Sequence, residues 1–176
     1  MKILSIDPGC IDSAYVLMDG ETLKPIEVGK INNEFLLGKI IYELKFDEVA
    51  IEMIDSYGMP VGKEIFETVF WVGRFWEAAC KCKKTKIYRQ DEKINLCGTK
   101  QAKDSNIRQA LIDRFAEHDF KNGKGTKKNP DWFYGFKDDI WAAYAVGVTY
   151  CDMKLDRKAE VADEKERRSK FCTFDE

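Results

Sequence analysis

Lys2-Ile3-Leu4-Ser5-Ile6-Asp7-Pro8-Gly9 is the stretch whose reading decides the fold. Ile3, Leu4 and Ile6 put apolar groups on both faces, the pattern of a strand covered on two sides. The strand ends in a carboxylate, and Pro8-Gly9 then stops it. An acid at the end of a central strand lies at the sheet edge where α/β proteins gather their chemistry. Alone, Asp7 reads as an ordinary turn aspartate. A functional role requires other carboxylates at the same edge.

Residues 2–7 therefore predict the first strand. Ser13 to Asp19 predicts a second, ended by the turn signal Asp19-Gly20, and Lys24 to Lys30 completes an antiparallel meander. Asn33 opens a helix whose apolar positions Phe35, Leu36, Ile40, Ile41 and Leu44 follow helical spacing. Glu48 to Met53 is a short apolar strand reached through a helix, hence parallel to the first. It too ends in an acid. Glu52 stands between Ile51 and Met53, where a charge is costly unless it is paired or bound to metal. A surface-facing glutamate on an edge strand is the plainer reading of Glu52 taken singly. Two apolar strands that each end in a carboxylate favour convergence.

The next loop, 54–60, offers Asp55 and Tyr57 as functional candidates or as plain loop residues. Residues 61–82 predict a long helix that is apolar on more than one side, suited to core packing or to a subunit interface. A brief basic strand over 85–89 and one helical turn over 92–97 follow. A helix then runs from Asp104 or Ser105 to about Glu117, with Ile107, Ala110, Leu111 and Phe115 inward. The 121–135 loop sets lysines beside Trp132, Phe133 and Tyr134. If exposed, these aromatics suit a nucleic-acid backbone and its bases; an ordinary surface loop reads equally well. The final helix is expected to begin Lys137-Asp138-Asp139, where acids in a first turn are usual capping choices. Residues 154–176 carry seven basic and seven acidic side chains and read as a solvated helix or tail.

The 176 residues, 44% of them hydrophobic, suit one domain with a substantial core. No apolar run approaches the roughly 20 residues of a membrane span, and no signal-peptide pattern opens the chain, so a soluble, cytoplasmic protein is expected. The six cysteines lack zinc-site spacing and are expected to be reduced. His118 is the only histidine, which argues against triad chemistry. The net charge of −2 hides a segregation that leaves room for a basic face. Residues 81–103 hold eight Lys/Arg against two acids, and 121–130 hold four lysines and no acid.

If the two acid-ended strands are neighbours, Asp7 and Glu52 lie side by side. A final helix laid across the sheet then brings Asp138 or Asp139 to them. Three carboxylates that close cannot all stay ionised without a cation. Oxygen-only ligands select Mg²⁺ or Mn²⁺ over zinc. Such a site holds two ions for phosphodiester hydrolysis.

Four segments then carry a family resemblance over nearly the whole chain to about Cys151. Ile6-Asp7-Pro8-Gly9, Ala50-Ile51-Glu52, the run from Lys93 to Ile107, and Ala143 to Cys151 resemble, in order, the motifs of the RuvC-type Holliday junction resolvases. These are nucleases of the RNase H-like, or retroviral integrase, superfamily. The resemblance implies an α/β RNase H-like domain over 1–153, with a mixed five-stranded sheet (three antiparallel strands, then parallel ones) flanked by helices. It implies Mg²⁺, two ions per site with Mn²⁺ substituting, held by Asp7, Glu52 and Asp139. It also implies a lysine, Lys103 with Lys100 in reserve, near the scissile phosphate. A homodimer making paired nicks in a four-way junction follows as well, as does a phage or mobile-element origin for so compact a chain, working in the host cytoplasm. Lys124, Lys127, Lys128 and Tyr57 are the further DNA-contact candidates.

One departure stands out. The family's last helix carries two acids three apart, and alignment of the alanine-rich run puts Ala142 at the second. Asp138 or a water is left to supply that oxygen. The alternatives are an RNase H-like nuclease acting on flaps, forks or RNA–DNA hybrids, and a non-catalytic junction-binding relative.

Overall fold

The computed structural model describes residues 1–56, 58 and 60–171, with side chains as far as residue 160. Its centre is a five-stranded sheet built from β1 (Lys2–Asp7), β2 (Asp12–Asp19), β3 (Pro25–Asn32), β4 (Glu48–Met53) and β5 (Lys83–Tyr88), in the order β3-β2-β1-β4-β5. β1 pairs antiparallel with β2 and parallel with β4; β2–β3 is antiparallel and β4–β5 parallel. The meander and the crossover strand lie where the sequence pattern put them. The helices are α1 (Asn33–Tyr42), α2 (Lys63–Ala78), α3 (Arg89–Cys97), α4 (Asp104–Phe115) and α5 (Ile140–Phe171).

Alternation along the strands divides the core in two. Leu4, Ile6, Tyr15, Leu17, Val49 and Ile51 face α1 and α2, where Leu36, Ile40, Val72 and Phe75 meet them. Ile3, Val16, Met18, Ala50 and Ile87 face α4 and α5. Both faces of β1 are thus covered, which is why its sequence carries no polar face. The same alternation turns Asp7 and Glu52 toward the α4/α5 side, two residues on from Ser5 and Ala50 respectively.

α5 approaches the sheet closely through Gly147. A Cβ there would lie 2.5 Å from Met18 Sδ and 2.8 Å from Ser5 Oγ, so only glycine fits. The helix runs on unbroken past residue 153, and Lys154 binds Glu48 of β4 at 2.6 Å. Residues 172–176 of the charged C-terminal stretch lie outside the described residues. Among the described residues, Cys10, Cys80, Cys82, Cys97 and Cys151 are free thiols, and no helix is long and apolar enough to cross a membrane.

Several expectations are corrected. Phe133 is core and Trp132 is partly buried against it, rather than both being exposed aromatics. Phe133 is fully buried, and Trp132 stacks on Phe115 at 5.2 Å while its Nε1 donates to the Tyr144 hydroxyl. Only Tyr134 of that run is exposed. The loop folds its aromatics beneath α5 because their apolar area gains more from burial than from solvent. α3 is a nine-residue helix, not one turn, closed by Gly98 in the left-handed conformation. α2 covers 63–78 within the expected 61–82, and Phe66, Val69 and Phe70 on it remain exposed. The last helix begins at Ile140, so Asp138 and Asp139 precede it. The Asp139 carbonyl accepts the first helical bond, from the Ala143 N–H at 3.0 Å.

Candidate active site

The parallel register pairs Ile6 with Ile51, so Asp7 and Glu52 occupy the next step of the two central strands. Their carboxyl groups lie within hydrogen-bonding reach of each other, which favours a proton on one of the two. Both residues are half-buried, with carboxyl groups closely surrounded by protein. Burial first, and the Glu52 charge second, push Asp7 well above the ordinary carboxylate range. Burial also raises Glu52, against the opposing pull of the Arg89 guanidinium.

A third acid, no candidate in the sequence, arrives from α3. Glu92, in the first turn of α3, is fully buried. Its Oε2 accepts from Arg89 Nη1 at 2.5 Å, and its Oε1 has no partner. Burial and the neighbouring Glu52 charge push the Glu92 carboxyl up to about 9. The same Arg89 donates from Nη2 to Asp104 Oδ1 at 2.6 Å and holds that carboxyl below its usual range. One signal for Glu92 existed. It stands four residues before Leu96, which packs on the core, and so shares the inward side of α3. An acid on that side is worth a question that its polar neighbours conceal.

Asp139 comes near enough for its charge to act on Asp7, but its Oδ2 accepts from Lys30 Nζ at 2.6 Å. Lys30 reaches it from the row that runs Asp7–Ala14–Lys30 across β1, β2 and β3. This pairing holds the Lys30 amine above its ordinary value. Nothing in local sequence marks Lys30, because the row exists only once register is known. Asp138 is exposed and has left-handed backbone, φ +43°. Ala142 lines a cleft of about 210 Å³ together with Arg89, Asp104, Asp138 and Asp139.

A buried polar network fixes the turn behind Asp7. Ser13 Oγ accepts from the Gly9 N–H at 3.1 Å and donates to Asn33 Oδ1 at 2.5 Å; Asn33 Nδ2 donates back to the Gly9 carbonyl at 2.9 Å. Ser13 and Asn33 are buried, so the turn cannot relax without stranding polar groups.

The remaining candidates sit outside this pair. Lys103, exposed, immediately precedes α4, and its N–H donates to Asn106 Oδ1 at 2.8 Å; Lys100 is exposed on the preceding turn. Lys127 and Lys128 are exposed and Lys124 half-buried in the loop between α4 and α5. Asp55 is exposed past the end of β4, and Tyr57 lies outside the described residues.

Among the described residues, no three acidic, histidine or cysteine side chains converge at metal-binding distance. The chemistry of the donors nonetheless suits a hard cation. Every candidate ligand is oxygen, Asp7 and Glu52 set two carboxyl groups side by side, and Glu92 Oε1 is buried without a partner. These are the donors that a hard divalent cation takes.

No protein-family model matches the sequence, and no curated protein matches it. Solved structures do. The Thermus thermophilus RuvC in complex with Holliday junction substrate superposes with a TM-score of 0.61 at 15% identity, over 85% of this chain and 92% of that one. A second structure of Thermus thermophilus RuvC gives 0.60 at 15% identity, over 88% and 97%. The chain therefore has the RuvC-type, RNase H-like fold that the four sequence motifs resemble.

Proposed function

We propose that this protein is a metal-dependent endonuclease for branched DNA, with the four-way junction as its preferred substrate. The observation that carries the reading is the Asp7–Glu52 pair, two close carboxyls at neighbouring strand ends of a RuvC-type sheet. Asp7, Glu52 and Asp139 are the residues that hold Mg²⁺ or Mn²⁺, with Asp138 in reserve. Two such ions, when bound, activate the attacking water and stabilise the leaving oxygen.

The chain's own groups do the rest. The Ser13–Asn33 network keeps the Asp7 turn rigid, so its carboxylate need not reorganise. Lys103, with Lys100 beside it, is the group for the scissile phosphate, and Lys124, Lys127 and Lys128 bind flanking backbone. A second copy docks on the exposed apolar side of α2 at Phe66, Val69 and Phe70, which gives two sites for paired nicks in a nearly twofold substrate.

The test sets a synthetic four-way junction beside a flap, a plain duplex and an RNA–DNA hybrid, each with Mg²⁺ and with chelator. Paired, metal-dependent nicks in the junction are expected, and Asp7→Asn should abolish them while leaving folding and junction binding intact. Cleavage that persists in Asp7→Asn overturns the metal assignment. Preferential cutting of the flap or hybrid moves the substrate class. Tight junction binding without cleavage in either ion identifies a binding protein instead.

A further inference from the structure

We propose that Glu92 is the oxygen donor that completes the carboxylate site on the side where Ala142 supplies none. The inference rests on the metal-dependent reading above and concerns which side chain of this chain serves it.

Three observations meet at Glu92. It is fully buried, yet Oε1 has no hydrogen-bond partner. A buried carboxyl oxygen left without a hydrogen-bond partner is costly, and such groups persist where something binds them. Arg89 cannot be that partner for both oxygens, because Nη1 is engaged on Oε2 and Nη2 on Asp104. Secondly, the carboxylate belongs to the Asp7–Glu52 group. It lies close enough for the Glu52 charge to act on it, and its own charge reaches Asp7.

Thirdly, its place suits the gap. Arg89, hydrogen-bonded to Glu92 within the same turn, lines the same cleft as Asp139 and Ala142, so the first turn of α3 faces the end of α5 that lacks an acid. A methyl group at 142 offers no donor. Asp138 is exposed to solvent and does not bear on Asp7 as Glu92 does. The ligand class is a hard divalent cation, Mg²⁺ or Mn²⁺, since all the donors are carboxylate oxygens.

The experiment measures Mn²⁺ binding to the full chain without DNA, by the electron paramagnetic resonance of free Mn²⁺ and by Mg²⁺-induced change in Tm. Wild type, Glu92→Gln, Asp7→Asn and the double variant Glu92→Gln/Ala142→Asp are compared. Glutamine keeps the shape and can still accept from Arg89. The expected result is that Glu92→Gln weakens Mn²⁺ binding about tenfold or more. Asp7→Asn should weaken it further, and Ala142→Asp should restore what Glu92→Gln lost, a rescue that a purely structural role would not give. Unchanged binding in Glu92→Gln, with binding lost in Asp7→Asn, overturns the role of Glu92 and leaves the metal reading standing. Binding indifferent to both substitutions overturns the metal reading and this inference with it. Should Glu92→Gln fail to fold, carboxyl ¹³C spectra of the wild type decide. The Glu92 signal must broaden on Mn²⁺ addition, and an unaffected signal overturns the proposal.

Discussion

Glu48 and Glu52 are the same residue type, four apart on β4, on the same face of the same strand, and their surroundings are opposite. Glu48, at the start of the strand, accepts from Lys154 Nζ at 2.6 Å and from the Tyr150 hydroxyl at 2.6 Å. Burial works against its charge, but these donors prevail and hold it below the ordinary range. Glu52, at the end, faces Asp7 and lies near Glu92; burial raises it, and Asp7 beside it rises further. One end of the strand is electrostatically satisfied and the other is not. An arrangement that stores unfavourable charge at one end only is the pattern of a site built for a ligand. The satisfied end serves the fold.

The comparison breaks most visibly in cleavage. Glu52→Gln should lower junction cutting on the order of 10³-fold or more, since on the proposed reading it removes a metal ligand and with it several kcal/mol of transition-state stabilisation at about 1.4 kcal/mol per tenfold. Glu48→Gln should cut at the wild-type rate. Equal loss in both would mean that the two ends do not differ in function.

Stability should respond in the reverse pattern. Lys154→Ala leaves Glu48 charged and partly buried without its cation, and should cost about 2 kcal/mol in denaturant unfolding with little change in cleavage. Glu52→Gln, measured in chelator at neutral pH, should be neutral or stabilising. Gly147→Ala probes the contact that seats α5 between the two ends, and should cost about 1–3 kcal/mol by overpacking against Met18 and Ser5.

The smallest effect is the most diagnostic. Glu48 has a lowered folded-state value, so its contribution is present above the unfolded carboxylate range near pH 4 and is lost as pH falls through the folded value. Asp7 and Glu92 have raised values, Glu92 reaching about 9, so the native state binds more protons than the unfolded chain between about pH 4 and 9. Their contribution therefore declines as pH rises across that window. In chelator, Tm should fall by a few degrees from pH 5 toward pH 9, and Glu92→Gln should flatten that slope. Mg²⁺ should flatten it too, by occupying the charged form. A slope unaltered by either would dissolve the contrast between the two ends.

Much of this was legible before any coordinates. The apolar faces of 2–7 and 48–53, the Asp19-Gly20 turn and the spacing of Leu36, Ile40 and Leu44 are local periodicities, and local periodicity reports which faces a strand or helix buries. The 132–134 run misled because three adjacent aromatics carry no period; only the fold reveals that two of them pack against Phe115 and α5. The acids were visible one by one, and their strand-end positions gave away two of them. Glu92 hid in a short polar segment. Lys30 was invisible, because its bond to Asp139 spans 109 residues.

By itself, then, the sequence determined the strands, their likeness to the RuvC-type motifs, and the carboxylates at the ends of β1 and β4. Those follow from side-chain alternation and from the chain breakers beside them. The tertiary structure alone decided that Asp7 and Glu52 face each other, that Lys30 holds Asp139, and that Glu92 is buried with one oxygen unpartnered. Each depends on desolvation and on distances between groups far apart in the chain. Such quantities are set by how the layers pack, and no local pattern encodes them.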